Sequence, residues 1–369
     1  MGSKLLKNAE WAILIVSIIL FIIGCFALFS ATQTSNGDEF RKQIIWFLVS
    51  IPFLFLAMII DYNFITRFSP IVFLLCLLLL VGVLFTEPIN GASSWFKIGS
   101  LFTIQPSELT KIVTIIFMSF ILNKLQVKGR KEINKPWKLL IFLAIWAMPI
   151  ALIAKQPDFG TALAFIFAML FMLFVSGLDK KYIIVAILII GISAVPVYQR
   201  LPAHVKTRID SFFNQEKDIR GAGYNMYQSK LAIGSGQMLG MGLLKGNQTQ
   251  LGFLHPKTTD FIFAVIGEEL GFVMSGVIVL LYIILITKSV YVAKTARDNI
   301  GSYIAIGISG MFFFYMIQNI GMTIGLLPIT GVPLPFVSYG GSSLITNFIC
   351  IGLLLNISSR RQKAIFSNF

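Results

Sequence analysis

Six ionisable side chains interrupt otherwise apolar stretches of this 369-residue chain: Glu108, Lys111, Asp158, Asp260, Glu268 and Glu269. Charge within an apolar span is costly and by default marks a functional site. Between them these groups offer a carboxylate able to act as a base and a cation able to receive an anion. Asp260 follows Thr258 and Thr259 and opens the run FIFAVIGEELGF, where a long polar segment meets the membrane, with His255 and Lys257 just before it. It reads either as an ordinary helix cap or as a base at that junction, and it is the one carboxylate where loop and membrane meet at this helix.

Glu108 and Lys111 are three apart, hence on one helical face, just after Pro106 at a first-turn position. They form either a self-neutralising ion pair or a site in which Lys111 meets an anionic ligand and Glu108 orients it. Asp158, in KQPDFGTALAF, can cap the helix that starts near Thr161; a second role beside a substrate is the alternative. Glu268 lies eight residues, about 12 Å of helix rise, beyond Asp260, which predicts that it is too deep in the bilayer to act on the same atom. Ala264, Gly267, Gly271 and Ser275 form a small-residue stripe suited to close helix packing, so Glu268 and Glu269 are expected to hydrogen-bond to neighbouring helices, with a proton path as the weaker option.

The elements that position these residues are membrane helices. The chain is 56% hydrophobic and 12% charged, with a mean hydropathy of +0.84, which excludes a soluble fold. Long apolar runs near the ~20 residues needed to cross a bilayer predict an all-α polytopic protein, one domain over 1–369. The ten spans are 11–30, 43–60, 69–85, 105–122, 137–154, 161–176, 182–198, 260–287, 302–324 and 342–357. The first follows Lys4 and Lys7 as a signal peptide would. Its apolar body, Trp11 to Phe29, is too long for one, so it is expected to be retained.

Thirty basic against 16 acidic residues give a net charge of +14. No basic stripe interleaved with aromatics is present, so nucleic acid is not expected as a partner. The excess instead fixes orientation: Lys and Arg concentrate between alternate spans so that both termini are expected on the cytoplasmic side. Segments 86–104, 155–160, 199–259 and 325–341 then face outward. Cys25, Cys76 and Cys350 lie in apolar runs without metal spacing, and His204 and His255 are too few for a histidine metal cluster.

Segment 199–259, the expected extracytoplasmic loop between the seventh and eighth spans, is polar and rich in glycine. It reads as irregular backbone that must approach a large, flat substrate, or as a flexible surface loop. The stretch LPITGVPLPFVSYGG, Leu327 to Gly341, is apolar yet carries three prolines. Non-helical backbone at membrane depth is tolerated only when buried in protein or lining a wet cavity. A re-entrant or capping loop is expected, with an exposed turn as the alternative.

Five stretches in one order, IQPSELTK at 104–111, KQPDFGTA at 155–162, YNMYQSKLAIGSG at 224–236, QLGFLHPKTTDFIFAVIGEELGF at 250–272 and PLPFVSYGGSS at 333–343, resemble the SEDS family of shape, elongation, division and sporulation proteins. The resemblance implies a ten-helix peptidoglycan glycosyltransferase of the bacterial plasma membrane. Its substrate would be lipid II and a nascent glycan strand, and its partners a class B penicillin-binding protein, which cross-links the product, and other elongation or division proteins. It places the essential aspartate at Asp260, with Glu108, Lys111, Asp158, Gln228, Lys257, Ser338 and Tyr339 as substrate-binding or supporting residues. Thr103 stands where several relatives carry Arg, and Lys97 or another loop cation would replace it. A divalent cation, Mg or Mn, could help neutralise the diphosphate; no organic cofactor is expected. A lipid II flippase and a non-catalytic scaffold are the rival readings, and the compact tails lean toward an elongation-type member.

Overall fold

The computed structural model describes residues 8–33, 37–87, 93–98, 102–200, 206–207, 210, 212–213 and 223–361. Among them ten long helices are found: α1 (Trp11–Ala31), α2 (Asp38–Ile59), α3 (Tyr62–Val83), α4 (Pro106–Leu125), α5 (Pro136–Lys155), α6 (Phe159–Val175), α7 (Lys180–Arg200), α10 (Ile262–Thr295), α11 (Asn299–Thr323) and α12 (Gly341–Ser359). Strands β1 (Phe96–Ile98) and β2 (Phe102–Ile104) form an antiparallel hairpin before α4, while α8 (Tyr224–Ser235) and α9 (Asn247–Gln250) precede α10. Seven of the long helices are apolar and long enough to cross a membrane. Of the other three, α6 has 17 residues and α4 carries Glu108, Lys111 and Lys124, while α7 has 21 residues with Lys180, Lys181 and Arg200 at its two ends. Exposed Ile, Leu and Phe side chains on α2, α3 and α7 form the outer, lipid-facing surface.

Helix α11 is the central post, buried along most of its length. A helix apolar on all sides must be enclosed by others, and α6, α4 and α10 enclose it. Helix α12 lies against α2, where an added Cβ at Gly352 would come within 2.4 Å of the Leu54 carbonyl oxygen. The first and last helices meet at one end. The Glu10 amide donates to Ser358 Oγ at 3.1 Å, and the Glu10 carboxylate pairs with Lys288 at 2.8 Å and Arg361 at 3.6 Å.

The eighth predicted span, 260–287, is corrected. Helix α10 is two helices joined at Gly271, whose φ of 77° and ψ of −174° are non-helical. Its second part runs antiparallel to α1, with Ser30 Oγ donating to Glu269 at one end (2.7 Å) and Lys288 bonded to Glu10 at the other (2.8 Å). The 19 residues between those contacts rise about 29 Å, close to the ~30 Å hydrocarbon thickness, so the crossing lies between Gly271 and Thr295. The half-helix 262–270 precedes it and is enclosed by protein, its residues Ile262 to Ile266 being at most 4% exposed. Glu268 and Glu269 therefore stand at the entrance of the crossing and not ~12 Å inside it.

The break frees backbone groups that the segment before α9 takes up. Met241 and Gly242 amides donate to the Glu268 and Glu269 carbonyls at 2.9 and 3.0 Å, and the Phe272 and Val273 amides donate to Gln237 and Met238 at 2.9 and 3.1 Å. Glu268 accepts from the Gln248 and Thr249 amides and Thr249 Oγ1 at 2.6–3.0 Å, so its partner is α9 and not a membrane helix; Glu269 does bond a neighbouring helix, through Ser30.

Two further expectations change here. Segment 199–259 contains the 12-residue helix α8, although residues 201–205, 208–209, 211 and 214–222 lie outside the described residues. Two of its glycines answer to protein and not to a flat substrate: an added Cβ would reach within 1.9 Å of the Gly267 carbonyl at Gly236 and 2.2 Å of the Glu269 carbonyl at Gly240, whereas Gly234 and Gly252 border open space. Gly271 itself serves the break and not a helix-packing stripe, because a Cβ there would lie 2.2 Å from the Gly240 amide.

Gly271→Ala should destabilise the protein by about 2–4 kcal/mol, from a disallowed backbone region plus a backbone clash, whereas Gly276→Ala, at a helical position with open space, should be neutral or slightly stabilising. Thermal unfolding of the two purified variants in one detergent checks the contrast.

Candidate active site

The stretch Leu327–Gly341 is a buried, non-helical loop, and helical side chains supply donors to its carbonyls. Gln318 donates to Pro328 at 2.9 Å and Asn319 to Val332 at 2.8 Å. Tyr282 donates to Pro335, and Gln43 to Ser338 at 3.1 Å, its own Oε1 accepting from the Gly340 amide at 3.2 Å. Val332, Leu334, Phe336 and Val337 are almost wholly buried. The loop also fits against α1 and α6 at two glycines: a Cβ at Gly24 would meet the Val337 backbone at 2.6 Å, and one at Gly160 the Thr330 carbonyl at 2.8 Å.

This loop positions Asp260. Asn319 donates to the Asp260 carbonyl at 2.9 Å as well as to Val332, so one buried amide ties the aspartate to the loop. Ser338 Oγ donates to the Thr259 carbonyl at 2.6 Å, and the Tyr339 amide donates to the Thr258 carbonyl at 2.9 Å. The Asp260 side chain is half-buried and adjoins Gly331, where a Cβ would come within 3.4 Å of Oδ2. The cap position of α10 is Phe261, one residue after Asp260.

A second polar cluster sits one helical turn along α11. Tyr315, four residues before Asn319 and thus on the same face, accepts a hydrogen bond from Lys111 Nζ. Lys111 also pairs with Glu108 at 2.9 Å, and both are about 3% exposed. Its ammonium also lies 4.4 Å from the Tyr315 ring centroid, an attractive geometry. Asp158 accepts from the Thr161 amide at 3.1 Å, capping α6, and from Gln105 Nε2 at 2.9 Å. The hairpin joins the same region: Lys97 pairs directly with Thr103 across β1 and β2, Lys97 is exposed, and the Gln105 amide donates to Ser342 Oγ at 3.3 Å.

The chain matches the FtsW/RodA/SpoVE model, described as cell cycle proteins, over residues 10–363. It is 36% identical over 354 residues to the peptidoglycan glycosyltransferase MrdB of Escherichia coli K12, covering 95% of this chain and 93% of that protein. This chain belongs to the FtsW/RodA/SpoVE family. Its fold matches the rod shape determining protein RodA of Thermus thermophilus with a TM-score of 0.71 at 25% identity, covering 96% of this chain and 98% of that one. A chain from a study of polymerization and crosslinking by a peptidoglycan synthase complex matches with a TM-score of 0.81 at 24% identity, covering 95% and 97%.

Within this member of the FtsW/RodA/SpoVE family, the sequence-expected residues divide into distinct roles. Lys111 is engaged by Glu108 and Tyr315, which favours the ion-pair reading over direct contact with an anion. The Ser338 hydroxyl is committed to backbone, accepting from the Leu334 amide at 2.7 Å while donating to Thr259; Tyr339 contributes its amide. Lys257 donates to the Thr249 carbonyl at 2.8 Å, and burial pulls its ammonium below the ordinary lysine range against the opposing pull of Glu269 and Glu39. Gln228 lies half-buried on α8, its buried Oε1 meeting no partner among the described residues. Asn319, Tyr315 and Gln43 went unnoticed in the sequence because they are uncharged; polar residues inside apolar spans were the available signal. Among the described residues no three His, Cys, Asp or Glu side chains gather to hold a metal. Asp260 fits the other common arrangement, in which one or two carboxylates and substrate phosphates hold the ion.

Removing one member of a buried ion pair leaves the other uncompensated, at about 3–5 kcal/mol. Glu108→Gln and Lys111→Met should therefore each lower stability by about that much, and the double variant by less than their sum; chemical denaturation of the four proteins measures the coupling.

Proposed function

We propose that this chain is a peptidoglycan glycosyltransferase that polymerises lipid II on the outer face of the bacterial plasma membrane, with Asp260 as its base. The observation that carries the reading is a half-exposed carboxylate on a backbone locked at three consecutive carbonyls, Thr258, Thr259 and Asp260, by the buried loop and α11. The similarity to MrdB supplies the reaction class. The excess of Lys and Arg between alternate spans supports the cytoplasmic placement of the joined chain ends, which puts the Asp260 end outside.

Lipid II brings its own diphosphate leaving group, so the protein needs a base for the attacking hydroxyl and positive charge for the departing diphosphate. Asp260 takes the proton of the acceptor GlcNAc 4-hydroxyl as that oxygen attacks the MurNAc C1 of the growing strand. The C1–O bond to the diphosphate breaks as the new bond forms, and this single displacement turns an α-linked donor into a β-1,4 link without a covalent enzyme intermediate. Lys97, exposed and opposite Thr103, is the described cation best placed near the Gln105–Ser342 junction to meet the diphosphate. Lys111 acts behind it, holding Glu108 and Tyr315 in register with Asn319. A divalent ion, Mg or Mn, would enter with the diphosphate and Asp260 and add charge neutralisation there. A class B penicillin-binding protein is the proposed partner, supported by the fold shared with the chain from the polymerization and crosslinking complex.

Asp260→Asn keeps the shape and cannot take the proton, so purified variant protein should form glycan from lipid II at least about 100-fold more slowly, with an unchanged thermal midpoint. Wild-type polymerisation by that variant would remove Asp260 from the role.

Lys97→Gln should raise KM for lipid II about tenfold, as expected for losing one hydrogen bond to a charged group, with kcat little changed. An unaltered KM in the same glycan assay takes Lys97 out of the diphosphate site.

A further inference from the structure

Far from Asp260, at the end of the molecule where Glu10 meets Lys288 and Arg361, the helices do not close on one another. Helix α7 is exposed along most of its described side chains. Between its first turn and the ends of α6, α10 and α11 lies a cavity of about 790 Å³, walled by apolar side chains including Phe171, Val175, Ile183 and Ala293. That volume falls within the roughly 300–1,000 Å³ of sites that hold small ligands.

Two cations stand on the cavity's lining, Arg130 and Lys294. Among the described residues neither pairs with a carboxylate. Arg130 donates only to the neutral Asn299 Oδ1, at 2.9 and 3.3 Å. The nearby acids are already engaged: Glu132 by Lys135 and Lys138, Asp179 by Lys181 at 3.5 Å, and Asp298 by Tyr62 at 2.8 Å and the Gly301 amide at 2.8 Å. An apolar chamber with uncompensated positive charge on its lining calls for an occupant that is greasy at one end and anionic at the other.

We infer that this cavity binds an anionic phospholipid of the adjacent leaflet, its acyl chain between α6, α7, α10 and α11 and its phosphate on Arg130 and Lys294. Basic pockets between transmembrane helices hold anionic headgroups on this principle, and the acyl chain fills space that α7 does not. The site is separate from the proposed catalytic residues, so its lipid occupancy and glycan synthesis can be measured independently.

The test is native mass spectrometry of the full chain, purified in detergent and equilibrated with equal amounts of dioleoyl phosphatidylglycerol and dioleoyl phosphatidylcholine. Wild-type protein should retain the phosphatidylglycerol in excess. Arg130→Gln combined with Lys294→Gln, both surface changes, should reduce that preference about tenfold, the scale expected for two charges facing an anionic headgroup. Ala293→Phe, which projects a ring into the chamber and narrows it, should reduce retention of both lipids while leaving the headgroup preference intact. Equal retention of the two lipids by wild-type protein would overturn the inference, as would an unchanged preference in the charge variant. So would full displacement by glycerophosphoglycerol, the headgroup without its chains, at the lipid's own concentration, since the apolar chamber would then contribute nothing.

Discussion

Backbone that is not helical carries amides and carbonyls that need partners, and inside a membrane protein water cannot provide them. The loop Leu327–Gly341 meets that constraint with donors drawn from separate helices: Gln318 and Asn319 of α11, Tyr282 of α10 and Gln43 of α2. Each bond therefore ties a helix to the loop as well as satisfying a carbonyl. Asp260 inherits its position from this arrangement, because Asn319 and Ser338 hold the aspartate's segment with the same groups that hold the loop. Precision at the carboxylate thus comes from a network distributed across the helical bundle.

The same constraint explains the break at Gly271. Turning the chain between the half-helix 262–270 and the crossing helix leaves carbonyls at Glu268 and Glu269 and amides at Phe272 and Val273 without helical partners, and segment 237–242 pairs with all four. Close backbone approach is what makes this possible, so glycine is needed on both sides, at Gly240 and at Gly271. Segment 237–242 is in this way built into the end of the bundle where Asp260 lies, and the half-helix that follows Asp260 is clamped between it and α11.

How much was legible in the sequence follows from which physical signals are local. The ten long helices were legible because apolar runs of bilayer length are a local property. Pro106, Asp158 and the three prolines of Leu327–Gly341 marked where helices begin or cannot run. The half-helix was not legible: Phe261 to Ile266 is as apolar as a lipid-facing run, and only its burial under α8, α11 and the loop shows that protein, not lipid, surrounds it. Glycines 236 and 240 were misread for a related reason, since a glycine reports that something comes close but not what. Asn319, Gln43 and Tyr315 carry no charge, so a search for costly intramembrane charge passed over the residues that organise the site. The family resemblance pointed to chain segments that the fold brings together, while which of their side chains the protein itself already engages needed the geometry.

The contacts between the first helix and the rest of the chain bear on how the protein is made. Ser30 waits for a carboxylate 239 residues later, and the Glu10 amide for a hydroxyl 348 residues later. Helix α1 is synthesised well before its partners, Ser30 meeting Glu269 and Glu10 meeting Lys288 only once α10 is made, and the Glu10 amide meeting Ser358 only once α12 is made. Until then Glu10 and Ser30 need water or other partners at the two ends of α1, so the contacts that join α1 to α10 and α12 form only after those later helices have been made.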